Sequence, residues 1–163
     1  MRYKLDKLEQ HIENVITFKK GAGQPAPETL TIPSPEDRVL LARLAVEECL
    51  ELCTAMGIKI FPRFSEKANS NLESANDFNF FPNDEVNPVE VIDACVDNQW
   101  VGVTGPAVAF GLSSKLTDCL EAIDQNNLSK LIDGYRHPET GKFCKGKSYV
   151  PVDLSSIIYE VNT

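Results

Sequence analysis

The sequence predicts an all-α protein: an antiparallel helical bundle carrying one long irregular insertion (58–86) and a basic C-terminal tail (126–163). Three observations carry that expectation. Apolar residues recur at helical spacing over three long segments. Two of those segments open on a capping residue followed by proline. The two-residue alternation of a half-buried strand is almost absent.

Residues 3–20 place Leu5, Leu8, Ile12, Val15 and Ile16 near a helical period, and Gly21 and Gly23 stop the run. The segment 21–35 holds four prolines and is read as an extended connection. Ser34 then offers an N-cap, Pro35 suits the first helical position, and Glu36 and Asp37 suit the positive end of a helix that should run to Gly57. Residues 58–86 are rich in Asn, Ser and Phe, with Phe61, Phe64, Phe78, Phe80 and Phe81, and read as a long insertion with little regular structure, of the kind that is functional or packed by its own side chains. Asn87-Pro88 repeats the cap-and-proline signal and opens a helix to about Gly111, with a bend or close packing expected at Gly102, Gly105 and Pro106. Ser113 or Ser114 should cap a shorter helix to about Gln125, and Asp153-Leu154 should open a last turn.

The 163 residues, 42% of them hydrophobic, suit one domain spanning 1–163. A net charge of −8 argues against coating a nucleic-acid backbone, which needs Lys and Arg. No run approaches the ~18 apolar residues of a membrane span. The opening MRYKLDKLEQH lacks the apolar stretch of a signal peptide, so a cytoplasmic protein is expected. Cys49, Cys53, Cys95, Cys119 and Cys144 are odd in number and contain no CxxC; core thiols in a reducing compartment are expected.

The acids break the amphipathic pattern. Leu40, Leu41 and Leu44 form an inward stripe that, continued by threes and fours, reaches Glu47, Glu48 and Glu51, then Ala55 and Ile58. In the helix after Pro88, Glu90, Asp93, Asp97 and Trp100 share one stripe, while Val89, Ile92, Cys95, Val96 and Val103 leave much of the remaining surface in need of burial. EExxE alone occurs on many solvated helices, but the second triad lies in a helix with hardly any other charge. Two carboxylates ~4 Å apart repel by about 4 kcal/mol at an effective dielectric of ~20. Six cannot gather without a cation. An all-oxygen set without Cys or His points to Mg²⁺, with Mn²⁺ as a substitute. A di-iron centre would need two Glu-x-x-His motifs, and only His11 and His137 are present, preceded at that spacing by Leu8 and Gly134.

EECLE (Glu47, Glu48, Glu51) and EVIDACVD (Glu90, Asp93, Asp97), followed by VTGPAVAFGL, resemble the acidic motifs of the all-α nucleoside triphosphate pyrophosphohydrolases, the MazG-like and phosphoribosyl-ATP pyrophosphohydrolase-like superfamily. NNLSKLIDGYRHPETGKFCKGKSYVPVDL resembles the tail of its phage and bacterial members, and NVITFKKGAGQP their opening. The similarity covers most of the chain outside 58–86. The chain departs from the family in Asp97-Asn98-Gln99-Trp100, where apolar residues are usual, and in the long insertion.

The resemblance implies a helical homodimer or homotetramer that cleaves a nucleoside triphosphate between the α- and β-phosphates, releasing the monophosphate and pyrophosphate, with Mg²⁺. It implies Glu48, Glu51, Glu90, Asp93 and Asp97 as metal ligands and Glu47 as a ligand or water-orienting base, with Glu47 or Glu48 taking the proton. Lys130, Lys142, Lys145 and Lys147 are candidate phosphate partners. Asn14, Phe18, Gln24, Asn98, Gln99 and Trp100 are candidate base contacts, with a purine deoxynucleoside triphosphate preferred. No nucleic acid or membrane partner is expected. The tail points to a phage or mobile-element protein working in the host cytoplasm. Two other readings stand beside this one: an all-α deoxyuridine triphosphatase, and a non-catalytic helical module that binds a nucleotide or a partner helix.

Overall fold

The computed structural model describes residues 2–63 and 75–159, the side chains from Lys7 onward and excepting Asn76. Leu5 as a side chain and Phe64 therefore lie outside the described residues. Helices dominate: α1 (Arg2–Gly21), α2 (Pro35–Ala55), α3 (Pro88–Asp97), α4 (Gly105–Ala109), α5 (Leu116–Ser129) and a short α6 (Ser155–Ile158).

Local chemistry sets the helix starts. Ser34 Oγ accepts the Asp37 N–H at 3.0 Å ahead of Pro35. Asn87 Oδ1 accepts the N–H groups of Val89 (3.1 Å) and Glu90 (3.4 Å) ahead of Pro88. Gly57, at φ +72°, ends α2 in a left-handed turn, and Asn83 N–H donates to its carbonyl at 2.7 Å. Ser113 and Ser114 instead lie in a 3₁₀ turn, and α5 begins after Lys115 with no side-chain cap. α5 also runs beyond Gln125 to Ser129. Asp153 Oδ1 accepts the Ser155 N–H at 2.9 Å as α6 opens.

The insertion is not irregular throughout. Ile58–Pro62 (β1) and Phe78–Pro82 (β2) form an antiparallel ladder with Lys59 opposite Phe81 and Ile60 opposite Phe80. Tyr135–Arg136 (β3) and Phe143–Cys144 (β4) form a second, very short ladder in the tail. The chain is therefore mostly helical with two small antiparallel sheets.

The expected bend at Gly102–Pro106 is a π-helical segment, Asn98–Thr104, joining α3 to α4. Pro106 offers no N–H to the preceding turn, and Gly105 N–H reaches back five residues to the Trp100 carbonyl. A side chain on Gly102 would collide with Asn98 Oδ1, so the absent Cβ leaves room for that amide.

Val15 of α1, Thr104 of the π segment and Val108 of α4 are fully buried, and Ile12, Leu41, Ala55, Ala94 and Ala109 complete the core. The α2 stripe is one position off the expectation. Leu41 is buried but Leu40 is 44% exposed. α3 is also less covered than expected within one chain: Val89, Ile92 and Val96 are all more than half exposed. None of the five thiols is a core residue. Cys49 and Cys95 are exposed, and Cys53, Cys119 and Cys144 are half-buried.

Asp133 clamps the tail: it accepts Ser148 N–H (2.9 Å) and Ser148 Oγ–H (2.7 Å). The Ser148 side-chain bond, then the backbone bonds from Ser148 and Lys147, hold its carboxyl below the usual aspartate range. A depressed carboxylate contributes above its unfolded value and is lost as pH falls through the folded one. The protection of the Ser148 amide, relative to the intrinsic exchange rate at each pH, should therefore stay high at neutral pH and fall below about pH 4, the ordinary aspartate value. Asp133→Ala should show the low protection already at neutral pH; equal protection in wild type and variant would remove the clamp.

Candidate metal centre

α2 packs against α3 and the π segment, and this pairing gathers the acids. Of the six, only Glu48 points inward. It continues the line Leu41, Leu44, Glu48 and Ala55, at steps of three, four and seven. Glu47, Glu51, Glu90, Asp93 and Asp97 are exposed, which corrects the expectation that the whole set turns inward. The reason is phase: a 3.6-residue period places one residue of EExxE on the inner line and its neighbours on the flanks.

The acids nonetheless share one region. Burial, foremost, and then the charges of Glu51, Asp97, Glu47 and Asp93 push the Glu48 carboxyl above its ordinary value. Glu48 Oε2 is cut off from solvent and has no hydrogen-bond partner. An orphaned carboxylate oxygen among four other carboxylates is costly. A hard cation would satisfy it and neutralise its neighbours, so this donor set fits Mg²⁺ or Mn²⁺. Among the described residues no group of three or more Asp, Glu, His or Cys side chains is placed to hold a metal ion as it stands. Glu90 lies in the first turn of α3, where with Glu51 it lines a cavity of about 550 Å³.

The candidate base contacts divide. Trp100 is half-buried, with Phe18 (6.0 Å) and His11 (5.4 Å) edge-on to its ring, so Phe18 and Trp100 do come together. Asn98 bridges back to α2, donating from Nδ2 to Cys49 Sγ at 3.3 Å. Gln99 Nε2 donates to Thr104 Oγ1 at 3.0 Å, and the same hydroxyl lies 3.0 Å from His11 Nε2. Asn14 is exposed and accepts from Gln10 (3.1 Å) on its own helix. Gln24 Oε1 is taken by Lys19 Nζ at 3.3 Å.

Two features escaped the sequence reading. His11 and Thr104 form a part-buried polar link between α1 and the π segment. Lys19 is only 6% exposed; burial lowers its pKa, and the charge of Asp37 partly offsets that. Its position on the line Ile12, Val15, Lys19 was the available signal.

The tail cations form their own cluster. Lys130 Nζ donates to Asn127 Oδ1. Lys130 and Lys145 lie 5.4 and 4.7 Å from the centre of the Tyr149 ring. Lys142 and Lys147 are exposed. Among the described residues no hydrogen bond or ion pair joins these lysines to the carboxylates of α2 and α3.

Searches with the sequence found no matching protein family and no matching curated protein. No helix among the described residues is long and apolar enough to cross a membrane.

Proposed function

We propose that this chain is a Mg²⁺-dependent nucleoside triphosphate pyrophosphohydrolase with a MazG-like helical core, acting in the cytoplasm on a purine deoxynucleoside triphosphate. The observation that carries the reading is the solvent-excluded, partnerless Glu48 Oε2 among Glu47, Glu51, Asp93 and Asp97. Surface acids with no task have no reason to bring one of their number to an unsatisfied interior position.

Bound Mg²⁺ would supply a water of lowered pKa and charge neutralisation for the phosphates. Glu48, Glu51, Asp93, Asp97 and Glu90 would hold it. Glu47, exposed beside Glu48, is free to accept the proton from the attacking water. The water is directed at the α-phosphorus, the bond to the bridging β-oxygen breaks, and pyrophosphate leaves. Phe18 and Trp100, which meet edge-on, offer an aromatic surface for a base.

The assembly is a second copy of the chain, as a dimer or a dimer of dimers. Val39, Leu40, Val46 and Leu50 of α2 stand 44–58% exposed along a groove of about 770 Å³. Val89, Ile92 and Val96 of α3 stand 55–71% exposed. That is more apolar surface than a lone chain ordinarily leaves in water. Light scattering should give two or four chains per particle, and Ile92→Asp should reduce it to one; a monomeric wild type would end this reading.

Function is tested by pyrophosphate release with Mg²⁺ across ribo- and deoxynucleoside triphosphates, with dUTP and dUDP included. Release is expected to be fastest from the purine deoxynucleoside triphosphates. Turnover confined to uracil nucleotides would mark a deoxyuridine triphosphatase, and binding with no turnover a non-catalytic module.

A further inference from the structure

The cavity beside Glu51 and Glu90 has a wall that the acidic motifs do not supply. The C-terminal end of α2, the root of the β1–β2 hairpin and the start of α3 enclose its roughly 550 Å³. Its neutral polar side chains are committed already. Thr54 Oγ–H donates to the Leu50 carbonyl (2.9 Å), Asn83 Oδ1 accepts Glu85 N–H (2.9 Å), and Asn87 caps α3. Lys59 of β1 is different. It is the one cation lining the space, and it has no hydrogen bond or ion pair among the described residues. Three carboxylates, Glu51, Glu85 and Glu90, line the same cavity, yet none lies within ion-pairing distance of it.

A space lined by three carboxylates and a lysine without a partner among the described residues suits one kind of guest. A polyphosphate can share a divalent cation with Glu51 and Glu90 and offer further anionic oxygens to the three N–H donors of Lys59. We propose that Lys59 is a substrate-binding residue, carried by the hairpin, that holds the β- and γ-phosphates of the triphosphate and then the leaving pyrophosphate. This rests on the hydrolase reading and adds to it: the insertion between the two acidic motifs builds the polyphosphate end of the site. Pairing of Lys59 with Phe81 across the ladder fixes where the side chain starts.

The test is calorimetric titration of the full chain with inorganic pyrophosphate at saturating Mg²⁺, alongside Mg²⁺ alone. Lys59→Met should weaken pyrophosphate binding about ten- to hundredfold, the range of a hydrogen bond to a charged group. It should leave Mg²⁺ affinity within twofold and helical content unchanged, and Lys59→Arg should recover most of the loss. Lys20→Met, which removes an exposed lysine of α1, controls for net charge and should have no effect. Unchanged pyrophosphate affinity in Lys59→Met, or an equal loss in Lys20→Met, overturns the assignment. The two levels separate cleanly. Wild-type turnover with Lys59-independent pyrophosphate binding defeats the Lys59 role alone. Lys59-dependent pyrophosphate binding without any turnover defeats the hydrolase reading and keeps the site.

Discussion

Glu48→Gln will abolish Mg²⁺-dependent pyrophosphate release, by about 10²–10³-fold or more, while the helices stay intact. The loss of one charge-bearing oxygen at the centre of a transition-state site has that scale. The same substitution should stabilise the metal-free protein. Glu48 is raised first by burial and then by its acidic neighbours. An acid whose folded value lies above its unfolded one costs stability at high pH and nothing once both states are protonated. The gain in melting temperature should therefore be largest at neutral pH and vanish as pH falls below about 4.3, the ordinary glutamate value. Circular dichroism melts across pH, with Mg²⁺ titration, check both halves. Near-normal turnover in Glu48→Gln would remove the centre.

Gly111→Ala should be the most damaging single methyl in the chain. Gly111 sits at φ +69°, where an added Cβ would run into the Thr29 backbone. The proline-rich connection is tied down beside it, Thr31 N–H donating to the Phe110 carbonyl at 3.0 Å. A left-handed alanine costs about 1–2 kcal/mol, and forced overpacking adds about 1–3 kcal/mol. At about 2–4 °C per kcal/mol the melting temperature should fall by roughly 4–20 °C. Gly21→Ala, with nothing within 4 Å of the new methyl, is the control and should be neutral or mildly stabilising. A Gly111→Ala melt within 2 °C of wild type would contradict the packing described.

The helix starts were legible because their signals are local. Ser34-Pro35 and Asn87-Pro88 cap where the residue types say they should. The hairpin was not, because Phe78-Asn79-Phe80-Phe81 and its two prolines give no clean alternation. A ladder of two residues, Tyr135–Arg136 against Phe143–Cys144, is too short to leave a periodic trace. The acids were found by their spacing, but a stripe drawn by threes and fours does not fix phase: Leu40 and Leu41 were both assigned inward, and one is exposed. Lys59 left no signal at all, since one charged residue on a strand looks ordinary until the folded chain puts it in the lining of the same cavity as Glu51 and Glu90.

The widened turn after Asp97 has a consequence for how the chain can change. Seven residues separate Asp97 from Thr104, and two α turns would set both on one side of the rod. Instead the first looks toward Glu48 while the second is sealed against His11. Gaining or losing one residue between 98 and 104 would swivel everything downstream by about 100° and leave the upstream carboxylates where they are. That swivel would carry Val108 and Ala109 out of the interior, so the length of this joint is locked by the core it feeds.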